Sequence, residues 1–506
     1  MKRRTFLTLS SSLALNACWL RPRPVTTTEA LDPNLIAEAQ IRAADGILRA
    51  EDVRAGFDGD TVGAQSVDPR VIARSGSGDI AEYVAGTTPL PPTTPEVSKQ
   101  ELNRFYAARG YQPLWYVNGE RTQQAFQLFA AMVNAPIDGL LPGDYMPGER
   151  ALSNRLNVGS AHLAQVDIEL TAGLMRYIRD AREGRYSGNS GLDVLPLTLA
   201  VINANTIEAG LDAAVNQGET YLLIRRLGKR YAQFLNAAEF EAYRVTMEKL
   251  RAEPVSFGGT GKYLISNIAA QEVLAMRDGK IELAMNMVVG RPTRQTPVNN
   301  DNIVSVKFSP DWTAPKSIVR KDLIPKAPQI FEDMGIEIRQ DGQIIDPTGV
   351  AWTPDQVDRY EFVQPPGPLN VLGGVRFTLQ NSSAIYMHDS PDRVLFNKVN
   401  RIYSSGCMRL EKSAELALWL LQDQDPSWTL ERVRESMSQP DISFVRLDQK
   451  VPVKTVYMEA WPSHKGGLRV VPDIYGLNTQ LREKMGIAVR NSNDPTDLST
   501  FWSSIF

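Results

Sequence analysis

The sequence predicts an α+β protein, in which an N-terminal all-α domain is followed by a mainly β domain. Two observations carry this prediction. Up to about residue 250, apolar residues recur at positions i, i+3 and i+4, which is the spacing of one helix face. From about residue 262 the period changes to two, which is typical of strands. A third observation concerns function: Cys407, in the β part, is one of only two cysteines in 506 residues.

The bulk composition is that of an ordinary globular protein, with 43% hydrophobic and 22% charged residues. The net charge is -3 and no long basic run is present, so nucleic acid is not an expected partner. The length leaves room for two or more domains, and a chain of this size needs neither disulfides nor a metal to build a core.

Residues 1–18, MKRRTFLTLSSSLALNAC, are predicted to be a signal peptide outside the fold. A charged start precedes an apolar run that is too short to span a membrane stably. The end of this segment, LNAC, resembles a bacterial lipobox, which implies cleavage before Cys18 and a lipid on its sulfur. The alternatives are a plain secretory signal with an incidental cysteine, or twin-arginine export through RRTFL. We expect the mature protein in the periplasm, with the lipid as its only membrane contact.

Residues 19–97 are predicted to be a flexible tether. They include RPRP and TTPLPPTTPEV, and Pro/Thr/Ser-rich segments bury too little apolar area to fold alone. Such an arm after a lipid anchor would let a folded body reach away from the membrane.

Residues 98–252 are predicted to form the all-α domain. KQELNRFYAARGYQPLWY, RTQQAFQLFAAMVNA and VDIELTAGLMRYIRDARE each place apolar residues on one helix face. Turn-forming residues separate these segments, as in NAPIDGLLPGDYMP and GRYSGNSG.

Residues 253–450 are predicted to form the mainly β domain, with residues 451–506 as a C-terminal extension. AMRDGKIEL predicts a hairpin with its turn at Asp278-Gly279, and KSAELALWLLQD predicts a helix capped by Ser413 or the residues before it. Residues 327–362 are long for a connection and are interpreted as a lid.

Cys407, in IYSSGCMRL, has the surroundings of a nucleophile. A catalytic thiol needs a base, a group that orients the base, and donors for the developing oxyanion. The chain has three histidines, and only His388 ends a predicted strand, 19 residues before Cys407. His162 and His464 are interpreted as surface residues. One Cys and one His fall short of the ligands that zinc requires, so neither a metal nor a cofactor is predicted.

The segment IYMHDSPDRVLFNKVNRIYSSGCMRLE, residues 385–411, resembles the signature of the L,D-transpeptidases, a His followed after a spacer by Ser-x-Gly-Cys-x-Arg. Other segments are similar to the large periplasmic, YcbB-like branch of that family, namely GRPTRQTPV, SPDWTAPKSI, QPPGPLNVLGGVRF, FYAARGYQPLWY, IDGLLPGDY and DIYGLNTQLREKMG. The resemblance covers roughly residues 100–490. It implies a helical scaffold domain followed by a YkuD-like catalytic domain.

The sequence departs from the family in two ways. The peptidoglycan-binding module that the YcbB-like branch usually inserts is not recognisable between residues 180 and 260. Many members have His before the Gly-Cys pair, where this chain has Ser405. A mechanism that relies on a second imidazole beside the thiol is therefore not expected.

The resemblance implies a role for each residue of the motif. Cys407 would be the nucleophile and His388 its base, oriented by the backbone carbonyl of Asp389. The amides of Gly406 and Cys407 would form the oxyanion hole. The other predicted contacts are to substrate: Arg409 to a carboxylate such as that of diaminopimelate, and Tyr386, Ser404, Ser405 and Trp312 in the pocket. For Ser404 a role within the loop, and for Trp312 a place in the core, are equally open.

The implied activity acts on peptidoglycan stem peptides. Cys407 would form a thioester with a tetrapeptide, release D-alanine and pass the peptide to an amine, which gives a 3→3 cross-link. Two alternatives stay open: a carboxypeptidase or exchange enzyme of the same fold, and an inactive cell-wall-binding lipoprotein. A carboxypeptidase or synthase that supplies tetrapeptides is the expected protein partner.

Overall fold

The computed structural model describes residues 78–487 with gaps at 93, 118, 147–159, 187–190, 216–217, 253–259, 381–384 and 464–466. Cys18, the predicted signal peptide and most of the predicted tether lie outside these residues. The chain divides into two compact units, one helical and one built on sheet. The helical unit takes the described residues up to 252 with 467–470 and 478–487, and the sheet unit takes the described residues between 260 and 477 that remain. The predicted α+β order is confirmed.

The helical unit follows the predicted apolar spacing. Its helices are α1 (Lys99–Ala108), α2 (Gln123–Val133), α3 (Ser160–Glu183), α4 (Leu195–Ile202), α5 (Ile207–Ala214), α6 (Gly218–Tyr231) and α7 (Ala237–Ala252), and strands β1 (Tyr116–Val117) and β2 (Glu120–Arg121) form a small hairpin. α1 begins with a capping box in which Ser98 and Glu101 bond each other's backbone. Its buried residues Leu102, Phe105 and Tyr106 lie on one face, as the i, i+3, i+4 pattern requires.

The predicted tether is too long at its C-terminal end. Residues 78–84 are helical, and Ile80 and Val84 are fully buried in the core of the helical unit. Ile80 and Val84 are four residues apart and therefore share a helix face. The prediction was wrong here because the Pro- and Thr-rich composition of the neighbouring segment outweighed this short apolar pair.

The sheet unit is built on a sheet that closes on itself. Its strands are β3 (Lys262–Asn267), β4 (Glu272–Arg277), β5 (Lys280–Gly290), β6 (Asn299–Phe308), β11 (Val375–Leu379), β12 (Met387–His388), β13 (Ile402–Ser404), β14 (Met408–Leu410) and β15 (Ser443–Val456). The strand order is β13-β5-β14-β12-β11-β6-β15-β3-β4, and β4 pairs again with β5. The β3–β4, β4–β5, β6–β11, β6–β15, β11–β12 and β5–β14 pairs are antiparallel, and the β12–β14, β3–β15 and β5–β13 pairs are parallel.

The predicted hairpin between β4 and β5 is confirmed. Asp278 and Gly279 both have positive φ, 49° and 75°, as a two-residue type I′ turn requires. The last strand also shows where a predicted boundary was wrong. β15 pairs with β6 on both sides of residue 450 and with β3 after it, so the closed sheet continues past the predicted start of the C-terminal extension.

The predicted lid is a folded insertion with a core of its own. Strands β7 (Trp312–Thr313), β8 (Glu337–Gln340), β9 (Gln343–Ile345) and β10 (Glu361–Gln364) form a separate sheet in the order β7-β10-β8-β9, accompanied by helices α8 (Lys316–Ile318) and α9 (Gln329–Asp333). Its apolar cluster extends from Trp312 to Leu372. The predicted bounds, 327–362, were therefore too narrow, because the strand that opens the insertion lies before them. Movement of this insertion over the site stays a prediction.

The remaining elements complete the two units. Helices α10 (Ser413–Leu421) and α11 (Leu430–Ser438) follow β14, strands β16 (Ala460–Pro462) and β17 (Leu468–Val470) follow β15, and α12 (Thr479–Lys484) ends the described chain. Within the helical unit, Met485 and Ile487 pack on Val245 of α7. No helix in the described ranges is long and apolar enough to cross a membrane.

Candidate active site

Three neighbouring strands, β11, β12 and β14, present one row of polar side chains. Arg376 of β11 pairs with His388 of β12, which pairs in turn with Arg409 of β14. Residues in register on adjacent strands lie on the same face of a sheet. The alternate residues Phe377, Met387 and Met408 are fully buried on the other face. The apolar face thus belongs to the core, and the Arg-His-Arg row belongs to the site.

Cys407 and Tyr386 belong to the same face, because each precedes a member of the row by two residues. Cys407 is a half-buried cysteine that forms no disulfide, and it lies immediately before β14. Burial raises the pKa of the Cys407 thiol, while a hydrogen bond from the Tyr386 backbone and the charge of Arg409 act in the opposite direction. The resting side chain is therefore a protonated thiol that needs a base.

His388 supplies a base in the required form. Its side chain is 3% exposed, and its Nδ1 lies 2.5 Å from the carbonyl oxygen of Asp389. A carbonyl oxygen can only accept, so Nδ1 carries the proton and Nε2 keeps its lone pair. Burial, together with the charges of Arg409 and Arg376, lowers the pKa of His388 to about 3, although backbone hydrogen bonds to Asp389 and Leu372 raise it. The imidazole is neutral at physiological pH.

The Asp389 carboxylate holds the turn in place. Its Oδ1 accepts from Ser413 Oγ at 2.7 Å and from Arg393 at 3.2 Å, and its Oδ2 accepts from the amide of Gly374 at 3.0 Å. These bonds fix the backbone whose carbonyl orients His388. The side chain of Ser413 does not cap α10. Lys412 occupies the N-cap position, and the Ser413 hydroxyl donates to Asp389 instead.

The loop before Cys407 is closed by Ser404, and this corrects two predictions. Ser404 Oγ donates to the carbonyl oxygen of Cys407 at 2.6 Å and accepts from the amide of Gly406 at 3.1 Å. Ser404 is buried, so its predicted contact with substrate is wrong and its alternative role within the loop is present. The Gly406 amide is engaged with Ser404, so it is not a free oxyanion donor.

Gly406 is needed for its backbone conformation. Its φ is 116°, in the region that L side chains rarely adopt, and a Cβ there would lie 2.9 Å from Cδ1 of Ile385. The carbonyl oxygen of Gly406 accepts from Thr296 Oγ1 at 2.8 Å. The turn thus exposes Cys407 while its own polar groups are bonded.

Two residues that sequence reasoning missed support this loop. Thr296 Oγ1, besides its bond to Gly406, accepts from the amide of Gly290 at 2.9 Å. Arg294 donates from Nη1 to Ser405 Oγ at 3.0 Å and pairs with Asp322 of the insertion. Both residues lie in GRPTRQTPV, whose resemblance to the family was the available indication. A contact of Ser405 with substrate stays a prediction.

Arg409 has the properties of a ligand for an anion. Its Nε is buried and has no hydrogen-bond partner among the described residues. Burial lowers the pKa of Arg409, while the charges of Cys407 and Asp392 raise it. Tyr386 is half-buried beside the row, with the guanidinium carbon of Arg376 4.8 Å from its ring centroid.

Trp312 does not match its predicted place in the pocket. It is 9% exposed and belongs to the apolar cluster of the insertion, in strand β7 paired with β10. The alternative, that it is a core residue, describes this position. A large apolar ring at the first strand of a small sheet buries more area in that core than at an open surface.

A closed sheet with a Cys-His face, preceded in the chain by a helical unit, is the arrangement that the sequence resemblance predicts for an L,D-transpeptidase with a scaffold domain. Comparison with known families agrees with this prediction. Residues 100–236 match the family described as "Scaffold domain", and residues 261–437 match the "L,D-transpeptidase catalytic domain". The chain thus contains a scaffold domain followed by a YkuD L,D-transpeptidase catalytic domain, as the sequence resemblance predicts.

Individual relatives are distant in sequence. A Haemophilus influenzae protein named "Putative L,D-transpeptidase" is 27% identical over 407 residues, which cover 76% of this chain and 79% of that protein. Among solved structures, an L,D-transpeptidase from Mycobacterium smegmatis is 13% identical, covering 39% of this chain and 59% of that one, with a TM-score of 0.20. L,D-transpeptidase 3 from Mycobacterium tuberculosis, in complex with a faropenem-derived adduct, is 14% identical, covering 38% and 60%, with a TM-score of 0.20. The chain spans about three fifths of the length of these two structures.

Proposed function

We propose that this protein is a peptidoglycan L,D-transpeptidase that forms 3→3 cross-links through a thioester on Cys407. The observation that carries the proposal is a common sheet face. It presents the Cys407 thiol, the neutral imidazole of His388 and Arg409, whose buried Nε has no hydrogen-bond partner in the described chain. The substrate is a stem tetrapeptide. Its scissile bond joins the third residue to the terminal D-alanine.

In the acylation step, the Cys407 sulfur bonds to the carbonyl carbon while its proton passes to Nε2 of His388. The raised pKa of Cys407 keeps the thiol protonated at rest, and the neutral imidazole has a lone pair that can accept the proton. The lowered pKa of His388 opposes this first transfer. The imidazolium then gives its proton to the departing amine of D-alanine as the carbon–nitrogen bond breaks. Because the folded site holds the pKa of His388 at about 3, the imidazolium is a strong acid, which favours this second transfer.

The second half-reaction transfers the peptide from sulfur to an amine. An incoming amine attacks the thioester carbonyl, His388 accepts the amine proton, and the thiol of Cys407 is restored. Arg409 would hold the carboxylate of diaminopimelate with its planar fork. The Cys407 amide remains the predicted oxyanion donor, whereas the Gly406 amide is bonded to Ser404.

The test is intact-mass spectrometry of residues 19–506 with a purified tetrapeptide muropeptide and, separately, with a carbapenem. The matched control is Cys407→Ala. A covalent adduct that the control lacks, together with a cross-linked muropeptide dimer, is the expected result. An adduct with only a shortened tripeptide product would replace the proposal with a carboxypeptidase. No adduct from either reagent would favour the cell-wall-binding lipoprotein.

We place the protein in the periplasm, held by a lipid on Cys18 and supplied with tetrapeptides by a carboxypeptidase or synthase. The proposal rests on the LNAC segment and on the donor that the chemistry requires. Metabolic labelling with a fatty acid tests the anchor: wild-type protein should carry the label and partition with membranes, and Cys18→Ser should do neither. Label on Cys18→Ser would refute this site of attachment.

A further inference from the structure

Arg376 is a second arginine of the site that the proposed reaction does not use. It lies on β11 in register with His388, on the side of β12 opposite to Arg409. Its guanidinium lies over the ring of Tyr386. Its Nε is buried without a hydrogen-bond partner in the described chain, and its charge is one of those that lower the pKa of Asp311.

A structural arginine of the same unit shows the contrast. Arg401 is also buried, and it donates to the carbonyl oxygens of Met287, Lys398 and Gln271 at 3.3, 2.8 and 3.1 Å. Buried polar groups in native proteins are nearly always bonded in this way, and each exception calls for an explanation, such as a water or a ligand. Arg376 and Arg409 are both exceptions, and they flank the same imidazole.

The charges around Arg376 do not neutralise it directly. The carboxylate of Asp311 pairs with Lys307, the register partner of Arg376 on β6. The Asp389 carboxylate is taken by Ser413, Gly374 and Arg393. Two buried Nε donors without partners in the described chain, beside a buried imidazole, are costly, and an incoming anion would offset that cost.

We propose that Arg376 binds a second carboxylate of the donor peptide, distinct from the one that Arg409 binds. The inference rests on the proposed function and defines its substrate as a stem peptide that carries two free carboxylates near the scissile bond. Adjacent strands are about 4.8 Å apart, so Arg376 and Arg409 begin roughly 10 Å apart across β12. Roughly three residues of extended peptide span that distance.

Binding to a Cys407→Ala protein tests this inference without any turnover. The probes are a free-acid stem tetrapeptide and three analogues, each with one carboxylate converted to an amide, and the readout is Kd by calorimetry. We expect at least two of the amides to bind about 10- to 100-fold more weakly, as for the loss of a charge-assisted hydrogen bond. Arg376→Gln should raise the Kd of the free-acid peptide by a similar factor. In this variant, one of the amide analogues should bind as tightly as the free acid, because the carboxylate that it lacks no longer has a partner. Arg409→Gln should have the same effect on another of the analogues.

Two further variants separate binding from structural effects. Arg376→Lys keeps the charge and should retain part of the discrimination, whereas Lys398→Gln removes an exposed charge of the same unit and should change nothing. The inference would be overturned if Arg376→Gln weakened the binding of all four peptides equally. It would also be overturned if the Cys407→Ala parent bound all four peptides with the same Kd, or bound none of them. Failure of the proposed function is a separate result, since it appears as the absence of a covalent adduct on wild-type Cys407.

Discussion

Two clusters of buried charged groups, one in each unit, differ in how their polar atoms are satisfied. In the helical unit, the Asp138 carboxylate accepts from Tyr177 at 2.5 Å and from Tyr221 at 3.0 Å, and it pairs with Arg225. In the sheet unit, the buried Nε atoms of Arg376 and Arg409 have no hydrogen-bond partner in the described chain. The Asp138 cluster is satisfied by its own partners, whereas the two arginines beside His388 each keep a donor available.

The pKa values of the buried groups show the same difference. Burial raises the pKa of Asp138, but the adjacent Arg225 more than reverses this and holds it below its usual range. For His388, burial and the neighbouring arginines act in the same direction, against the charged form. A network whose charged groups satisfy one another stabilises a fold. A site that holds a buried titratable group in its neutral form is instead suited to ligand binding or proton transfer.

The largest expected effect is on catalysis alone. Cys407→Ala should lower cross-link formation by about 10⁴-fold or more, because the covalent step has no other nucleophile. The free energy of unfolding should change by no more than about 1 kcal/mol, since the thiol is half-buried and alanine fits the same backbone. Product analysis and chemical denaturation measure the two effects. Cross-linking that survives in this variant would remove Cys407 from the mechanism.

In the helical unit, by contrast, substitution of the buried Asp138 should lower the free energy of unfolding. Asp138→Ala leaves Arg225 buried with only its outer partner Asp212, and breaking such a buried pair costs about 3–5 kcal/mol. Denaturant unfolding measures this loss. Asp212→Ala is the control, because its carboxylate is 41% exposed and its pair should contribute at most about 1 kcal/mol. Equal losses from both variants would contradict the distinction between the two networks.

The sequence alone was sufficient for the residues whose type is rare. A single thiol in the β part and one histidine at a strand end could be recognised without a structure, and so could the hairpin at Asp278-Gly279. Chain-wide periodicity likewise predicted the helical and sheet regions. These features depend on residue type and local spacing, which are properties of the sequence.

Apart from the domain boundaries, the errors concern hydrogen bonds and contacts within the site. Whether the Gly406 amide faces substrate or Ser404 depends on the turn, which φ at Gly406 determines. Thr296 lies 110 residues from the carbonyl that it holds, so nothing in local spacing indicates the contact. Arg376 lies beside His388 only because β11 and β12 pair in this register, and the sequence alone does not specify that pairing.

A third prediction uses pH to compare the units. The pKa of His388 is lowered from 6.5 to about 3 in the folded protein, so the unfolded state binds more protons between these values. This histidine therefore removes stability as pH falls from 6.5, by up to about 3 kcal/mol at pH 4. In the helical unit, burial raises the pKa of Asp167 from 3.8 to about 6 despite hydrogen bonds from Trp115 and Tyr106. The contribution of Asp167 to the free energy of unfolding therefore changes in the opposite direction: it increases stability as pH falls from 6.

Denaturation of wild-type and His388→Gln proteins between pH 7 and pH 4 isolates the histidine. The difference in unfolding free energy should shift in favour of the glutamine variant as pH falls, because glutamine does not titrate. Asp167→Asn compared with wild type should shift the other way. A difference for His388→Gln that is constant with pH would show that the imidazole is not held neutral, and the general-base step would need another explanation.

The smallest expected effect concerns the loop before Cys407, which contains Ser404. Ser404→Ala removes the hydroxyl that bonds both the Gly406 amide and the Cys407 carbonyl, so two buried groups lose a partner. Such losses cost about 1–3 kcal/mol, and we expect kcat/KM for the muropeptide to fall about 10-fold as the thiol leaves its position. Ser405→Ala is the neighbouring control, since Arg294 keeps its pair with Asp322 and the rate should fall less than about 3-fold. A larger loss for Ser405→Ala than for Ser404→Ala would mean that the Ser405 hydroxyl contacts the substrate and that the Ser404 bonds are not what positions Cys407.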